Sequence, residues 1–100
     1  MQHLSDAELM ELVRRGDFAA FDQLYSRYSG PIRKFLFSLT WDQDASEDYL
    51  QEVFLRLYRA RERYRQTGQF SNYIYRIAKN YYLSQYRKNG RLEEVSLALE

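Results

Sequence analysis

Apolar side chains recur at intervals of three and four residues along most of this chain. The clearest run lies in residues 49–58, where the apolar positions are Tyr49, Leu50, Val53, Phe54, Leu57 and Tyr58. Such spacing places side chains on one face of a helix. Only four glycines and one proline interrupt the 100 residues. The pattern predicts an all-α fold, a compact bundle of about four to five helices, with a single domain over residues 1–90.

Capping residues and helix breakers divide the first half of the chain. Ser5 and Glu8 form a capping box ahead of a first helix, and Gly16 stands where a C-terminal cap belongs. Asp17 is placed to cap a second helix. Pro31 suits a first helical turn, so it predicts either a third helix after it or a kinked continuation of the second.

The second half contains the two longest predicted helices. Residues 41–44 form a polar connection, and the helix that follows is expected to fade near Tyr64. Ser71 is expected to cap the last helix, which runs to about Lys88 and ends at residues 89–90.

Residues 63–91 contain no acidic side chain. Their basic residues are Arg63, Arg65, Arg76, Lys79, Arg87, Lys88 and Arg91, and their aromatic residues are Tyr64, Phe70, Tyr73, Tyr75, Tyr81, Tyr82 and Tyr86. Cations neutralise phosphates and flat rings stack on unpaired bases. The segment therefore predicts a surface for single-stranded nucleic acid, which the overall charge of +1 conceals because residues 1–62 hold eleven acidic and eight basic side chains.

The residue inventory does not support an enzyme, a cofactor or a metal site. There is no cysteine, and the single histidine, His3, lies near the terminus. No glycine-rich phosphate loop occurs, and the acidic residues of 42–48 lack the alternating ligands of a calcium loop. The N-terminus lacks the pattern of a signal peptide, and no apolar run is long enough for a membrane span. These features predict a cytoplasmic protein that does not bind membranes.

Three segments together resemble a known family. They are GDFAAFDQLYSRY at 16–28, EDYLQEVFLRLY at 47–58 and FSNYIYRIAKN at 70–80. In this order and spacing they resemble the second conserved region of bacterial sigma factors of the extracytoplasmic-function class, over about residues 5–90. The resemblance implies a helical bundle that docks on the clamp helices of the largest subunit of RNA polymerase. It also implies recognition and partial melting of the promoter minus-ten element, with the non-template strand bound as single-stranded DNA.

Matching positions imply which residues contact the polymerase. They are Asp48, Gln51, Glu52 and Phe54. Independently, Asp48, Gln51, Glu52 and Leu55 share one helix face through their spacing, so Leu55 is added to the docking set. A solvated acidic stripe is the alternative interpretation of the same spacing.

The resemblance also implies the DNA-binding residues. They are Tyr64, Arg65, Phe70, Ser71, Asn72, Tyr73, Tyr75, Arg76, Lys79, Asn80, Leu83, Arg87 and Lys88. In the family, the loop that matches residues 64–70 holds a base that has flipped out of the stack. Gln66 and Gln69 of this loop are further hydrogen-bonding candidates, while the cations of the following helix would contact phosphates.

Aromatic residues outside this segment have a simpler interpretation. Phe18, Phe21, Tyr25, Phe35 and Phe37 are expected mostly to pack in the core, as is Tyr81. For Tyr75, Tyr82 and Tyr86, core packing and nucleic-acid contact both remain open. Where the family often has Trp, this chain has Tyr73, which keeps a stacking ring. The tandem Trp pair of primary sigma factors is absent from positions 76 and 77, which suggests weaker strand opening.

Two alternatives remain at the level of the sequence. The chain is either a promoter-binding domain or a helical protein-interaction module that binds polymerase or an anti-sigma factor without recognising DNA. An anti-sigma factor is expected as a partner in either case, and a monomer is the default state. Residues 91–100 are expected to be the start of an interdomain linker or a cloning tail, because full-length members of the class continue into a helix-turn-helix domain.

Overall fold

The computed structural model describes residues 3–65 and 67–90, and its regular elements are all helical. They are α1 (Asp6–Arg14), α2 (Phe18–Thr40), α3 (Gln43–Arg59) and α4 (Phe70–Gln85), followed by a π-helical turn over Tyr86–Gly90. Across these two ranges no strand occurs. The all-α prediction is confirmed. Gln66 and the predicted linker or tail at 91–100 lie outside the described residues.

Side-chain caps begin the first three helices. The Ser5 hydroxyl accepts the Glu8 N–H at 3.1 Å, and the Ser5 N–H donates to the Glu8 carboxylate at 2.9 Å. These bonds from Ser5 also hold the pKa of Glu8 below its usual value. Asp17 caps α2, and Asp42 caps α3 in the same way. The capping box and the Asp17 cap confirm the sequence predictions, because a short polar side chain satisfies N–H groups that the first helical turn leaves free.

Gly16 separates α1 from α2 through its backbone conformation. Its φ of +95° is in the left-handed region, which side chains with a Cβ adopt only at a cost. The Gly16 N–H donates to the Val13 carbonyl at 2.8 Å, which closes the end of α1. The chain thereby reverses direction within three residues.

Helix α2 continues through Pro31, so the predicted separate third helix does not form. The alternative prediction, in which the second helix continues, is the one the structure supports. Gly30 precedes the proline and has no Cβ to clash with the proline ring, which is the usual obstacle to helix at that position. Packing of α2 against α1, α3 and α4 supplies the stability that the missing Pro31 N–H removes.

The core lies where the apolar faces of the four helices meet. Its buried residues are Leu9, Met10, Val13, Ala20, Leu24, Ile32, Leu36, Leu50, Val53, Phe54, Leu57, Phe70, Ile74 and Ala78. Burial of each larger aliphatic side chain contributes about 1.5–3 kcal/mol. The core therefore fixes α3 and α4, the two helices that carry the predicted contact residues, on one rigid support.

Several aromatic predictions need correction. Phe21 and Phe35 pack against the core as expected, and Tyr25 contacts Phe54 edge to face. Phe18 and Phe37, in contrast, are 66% and 40% exposed. Both belong to α2, whose 23 residues carry apolar side chains around more of its circumference than its neighbours cover.

The start of α4 also differs from the prediction. The helix begins at Phe70, and Gln69 occupies the N-cap without a side-chain hydrogen bond, so Ser71 is not the cap. Phe70 is only 4% exposed and anchors the first turn in the core. Burial of this ring, rather than a hydroxyl cap, thus sets where α4 begins. At its other end α4 passes into the π-helical turn, which reaches the predicted boundary at Gly90.

Candidate functional site

A pocket of about 230 Å³ lies between the loop after α3 and the first turns of α4. Its lining residues are Tyr64, Arg65, Thr67, Gly68, Gln69, Asn72, Tyr73 and Arg76. Five of these belong to the predicted DNA-binding set, and the other three, Thr67, Gly68 and Gln69, belong to the loop proposed to hold a base. The sequence thus predicted the residues that line this pocket, although Gln66 of the same loop lies outside the described residues.

Aromatic packing holds the pocket in shape. The Tyr64 ring lies edge to face on Tyr73 with centroids 4.9 Å apart, and it also contacts Phe70 at 6.2 Å. The Arg65 guanidinium donates to the carbonyls of Glu62 and Tyr64 at 3.2 and 3.1 Å, which turns the loop back on itself. Burial raises the pKa values of the Tyr64 and Tyr73 hydroxyls above their usual value, which agrees with the packing of both rings against their neighbours. The walls of the pocket are therefore preformed.

A second, larger groove of about 500 Å³ lies on the other side of Tyr73, between the end of α3 and α4. It is lined by Arg56, Arg59, Ala60, Arg63, Tyr73, Ile77 and Asn80. The positive charges of Arg63 and Arg76 both favour the Tyr73 phenolate, which shows that they flank this ring, although burial prevails and its pKa is raised. Because Tyr73 lines both cavities, the pocket and the groove form one continuous surface.

Two arginines of this groove, Arg56 and Arg59, were not among the residues predicted for DNA contact. They lie three residues apart in the last turn of α3, so they share one side of that helix. The sequence already contained that spacing. The two arginines were not predicted because the acid-free segment, residues 63–91, begins after them.

The remaining predicted DNA contacts on α4 and the turn after it are mostly exposed. The exposed side chains are the cations Arg76, Lys79, Arg87 and Lys88, together with Asn80 and Leu83. Ser71 is half-buried, as is Tyr75, whose ring contacts Phe35 edge to face at 5.2 Å. The structure thus assigns Tyr75 largely to packing.

Phe70 leaves almost no surface for the DNA contact predicted for it. Its ring is 4% exposed and lies in the core between Tyr28 and Tyr64, which favours a packing role over base stacking. Its role is to support Tyr64 and Tyr73 from behind.

The predicted polymerase-docking residues lie on α3. Asp48, Gln51 and Leu55 are exposed on one face. Glu52 is half-buried and forms ion pairs with Arg56 at 3.3 Å and Arg59 at 3.7 Å. The docking face and the arginine groove therefore adjoin each other along α3.

Phe54 does not belong to that exposed face. It is only 3% exposed and packs against Phe21 and Tyr25 of α2. A direct polymerase contact of Phe54 stays a prediction, and its position on α3, which points into the bundle, favours a packing role.

Two kinds of site are not found in the described part of the chain. Within residues 3–65 and 67–90, no three His, Cys, Asp or Glu side chains are close enough to share a metal ion. No helix in the same ranges is long and apolar enough to cross a membrane.

The fold and surface together define an all-α domain with a basic, aromatic groove at one end of α3 and an exposed acidic face along the same helix. Residues 24–92 match the family model for sigma-70 region 2. The chain therefore belongs to the sigma-70 region 2 family, as its three motifs predicted.

Curated relatives agree with this assignment. The chain is 37% identical over 75 residues to the RNA polymerase sigma-H factor of Pseudomonas aeruginosa, covering 75% of this chain and 39% of that protein. It is 36% identical over 91 residues to the ECF RNA polymerase sigma-E factor of Haemophilus influenzae, covering 87% and 48%. The corresponding Escherichia coli protein is 34% identical over 91 residues, with 87% and 47% covered. The chain thus spans about half the length of these relatives, or less.

A solved structure shows the same fold. It is an NMR structure of an engineered region 2 of sigmaE in complex with GTAAAA, with a TM-score of 0.73 and 32% sequence identity. The match covers 89% of this chain and 97% of the other.

Proposed function

We propose that this domain docks on RNA polymerase and binds the promoter minus-ten element as single-stranded DNA during transcription initiation. The observation that carries the proposal is the continuous surface on both sides of Tyr73, with a small aromatic pocket on one side and an arginine groove on the other. Its similarity to a sigmaE region 2 that was solved with GTAAAA supports the same function.

The pocket accounts for base recognition. A single unstacked base can enter between Tyr64 and Tyr73, while Gln69 and Asn72 offer amide groups that both donate and accept hydrogen bonds. Enzymes and other proteins that read a base outside the helix use the same combination of stacking and edge contacts. The preformed shape lowers the entropic cost of binding.

The groove accounts for strand positioning. Arg59, Arg63 and Arg76 flank the route past Tyr73, and Lys79 continues it along α4. Contacts to phosphates fix the register of a strand without reading its sequence. The groove therefore complements the pocket, which selects a base.

The exposed face of α3 accounts for polymerase docking. Asp48 and Gln51 stand beside Leu55, so the face combines a charge, an amide and an apolar side chain. A partner helix with basic and apolar side chains fits this combination. Because Glu52 also contacts two groove arginines, docking and strand binding occur on neighbouring surfaces.

Further properties follow from this function. We place the domain in the cytoplasm, where the polymerase acts, as a non-enzymatic monomer that an anti-sigma factor can bind. Arg76 and Ile77 stand where primary sigma factors carry a pair of tryptophans, so strand opening by this domain is weaker and depends more on a good promoter.

Fluorescence anisotropy with single-stranded oligonucleotides tests the proposal. GTAAAA and a set of oligonucleotides varied at every base are titrated with the domain, with and without a polymerase clamp-helix fragment. We expect base-selective binding that the clamp fragment strengthens and that Asn80→Ala and Arg76→Gln weaken. Arg15→Gln is the matched control, because Arg15 is an exposed cation of the α1 C-cap that lines neither the pocket nor the groove.

The alternative function makes a different prediction. If the domain is only a protein-interaction module, Asp48→Ala and Gln51→Ala abolish binding to the clamp fragment, while no oligonucleotide is preferred over another. That result would overturn the DNA-binding part of the proposal and leave the docking part.

A further inference from the structure

An exposed aromatic pair lies at the corner between α2 and α3. The rings of Phe37 and Trp41 are 5.8 Å apart, and Trp41 is 79% exposed, the largest fraction among the exposed large hydrophobic side chains. Neither ring lies in the core. Large apolar side chains held together in water are typical of binding sites rather than of ordinary surface.

The backbone of Trp41 is strained. Its φ of +54° makes it the one residue other than glycine with a positive φ in the described ranges. The left-handed conformation is unfavourable for a residue with a Cβ. Its N–H donates to the Phe37 carbonyl at 2.9 Å and ends α2. Glycine or asparagine adopts this conformation more readily, so a tryptophan here indicates a role for the ring.

A cleft of about 570 Å³ opens beside this pair. It is lined by Arg33, Lys34, Phe37, Ser38, Trp41, Gln43 and Ser46. Much of its polar lining is already engaged, since Arg33 pairs with Glu47 and the Ser46 hydroxyl bonds to Thr40 and Asp42. The cleft therefore offers aromatic walls, with the exposed Lys34 cation at its edge.

The pair is continuous with the predicted docking face. Trp41 stands two residues before α3, and the exposed residues Asp44, Asp48, Gln51 and Leu55 follow along that helix at intervals of four, three and four. This is the spacing by which one helix packs along another in a coiled coil. From Asp44 to Leu55 the helix spans about 17 Å, which matches about three turns of a partner helix.

We propose that Phe37 and Trp41 are the apolar anchor of the polymerase-docking surface, and that the polymerase helix lying along α3 inserts an apolar side chain into the cleft beside them. The inference rests on the proposed docking function, but it assigns residues outside the matched docking motif. Hot spots of protein interfaces are enriched in tryptophan that is buried on binding.

Charge complementarity indicates the order of side chains along the partner helix. Lys34 beside the cleft favours an acidic side chain, whereas Asp44 and Asp48 favour basic ones further along. The partner therefore presents an apolar residue with an acidic neighbour at one end and basic residues beyond it. The cleft is at the opposite end of α3 from Arg59 and Arg63, so this contact leaves the DNA groove free.

The single tryptophan of the chain permits a direct test. A clamp-helix fragment without tryptophan is added to the domain, and Trp41 emission and acrylamide quenching are recorded while calorimetry measures binding. We expect a blue shift and a marked loss of quenching at saturation, because docking removes the indole from water. Addition of GTAAAA alone should leave the emission unchanged.

Variants measure the contribution to affinity. Phe37→Ala and Trp41→Asn should each weaken binding of the clamp fragment about tenfold or more. Trp41→Asn keeps a residue that tolerates the left-handed backbone, and circular dichroism checks its fold. Phe18→Ala is the matched control, because Phe18 is 66% exposed but lies about 28 Å away along α2. It should bind as the unchanged domain does.

The outcomes separate the two proposals. In one outcome the fragment binds and Asp48→Ala weakens that binding, but Trp41 emission does not change and Phe37→Ala binds the fragment with unchanged affinity. This result overturns the aromatic anchor and leaves the docking function in place. If the unchanged domain does not bind the fragment at all, both are overturned.

Discussion

The rings of Tyr64 and Tyr73 meet edge to face with centroids 4.9 Å apart. This contact joins the loop after α3 to α4, and the Tyr73 ring lines both the pocket and the arginine groove. An aromatic pair in this geometry is worth about 0.5–1.5 kcal/mol beyond the area that it buries. The candidate site is therefore held by the same rings that are proposed to contact the DNA.

Removal of the Tyr73 ring should reduce affinity for single-stranded DNA. Base stacking on an aromatic side chain contributes about 1–3 kcal/mol, so Tyr73→Ala should weaken binding of GTAAAA about fivefold or more. Tyr73→Phe keeps the ring and should retain most of the affinity. Anisotropy titrations of the three proteins check this, and equal affinity for Tyr73→Ala would show that the ring is only structural.

The groove arginines should contribute to the salt dependence of binding. Each phosphate contact of a single strand adds about −0.7 to the slope of log affinity against log salt. The double variant Arg59→Gln with Arg63→Gln should therefore make the slope shallower by about 1.4. Arg15→Gln, which removes an exposed cation elsewhere, should leave the slope unchanged. An unaltered slope in the double variant would exclude phosphate contact in this groove.

Addition of a single methyl group at Gly16 should lower the stability of the fold. Gly16→Ala should lower the free energy of unfolding by about 1–2 kcal/mol, because its φ of +95° is costly for a residue with a Cβ. No neighbouring atom lies within 4 Å of the added methyl group, so the cost comes from the backbone alone. Urea denaturation provides the measurement.

Gly68 supplies the control for that substitution. It also has open space around it, but no positive φ. Gly68→Ala should change the free energy of unfolding by less than about 0.5 kcal/mol. Equal effects at the two glycines would contradict the backbone explanation.

Alkaline pH should destabilise the fold through its packed tyrosines. Burial raises the pKa values of Tyr28, Tyr49, Tyr64, Tyr73 and Tyr81 above their usual value of 10.0. Below about pH 10 these hydroxyls are protonated in both folded and unfolded chains, and the full stability is present. Above it the unfolded chain loses protons first, so the free energy of unfolding falls as pH rises.

Tyr28 should account for a large part of this alkaline effect. Its hydroxyl donates to the Asp6 carboxylate, and its pKa is raised the most among the five, first by burial and then by that carboxylate. One fully linked group contributes at most about 1.4 kcal/mol per pH unit. Urea unfolding between pH 8 and pH 11, in steps of about 0.5, should show a smaller decrease for Tyr28→Phe than for the unchanged chain. Identical decreases would contradict the assignment to Tyr28.

Sequence reasoning succeeded where the signal was local. The capping box at Ser5, the cap at Asp17 and the glycine turn at Gly16 each depend on residues within one helical turn, and each formed as predicted. The core face of α3 also followed from its spacing. The prediction that Ser71 caps α4 was wrong. A hydroxyl was available at Ser71, but burial of Phe70 set the start of the helix.

The sequence predicted the candidate site only in part, because local spacing indicates which residues share a helix face but not which face is buried. The cations of α4 lie on its outer face as their spacing required. Phe54 and Phe70 were assigned to partner contacts, whereas the bundle buries both. Arg56 and Arg59 were not predicted. They line one groove with Tyr73 only because α3 packs against α4, and the sequence does not specify that packing.

The sequence by itself determined the helical class, most helix boundaries, the segregation of charge and the family. These properties depend on periodicity, capping and composition, which act over a few residues. Tertiary structure alone decided that α2 continues through Pro31, which aromatic rings remain exposed, and that one tyrosine forms the wall of two cavities. Each of these depends on which faces of distant segments bury each other, and helix spacing alone does not specify which neighbour covers a given face.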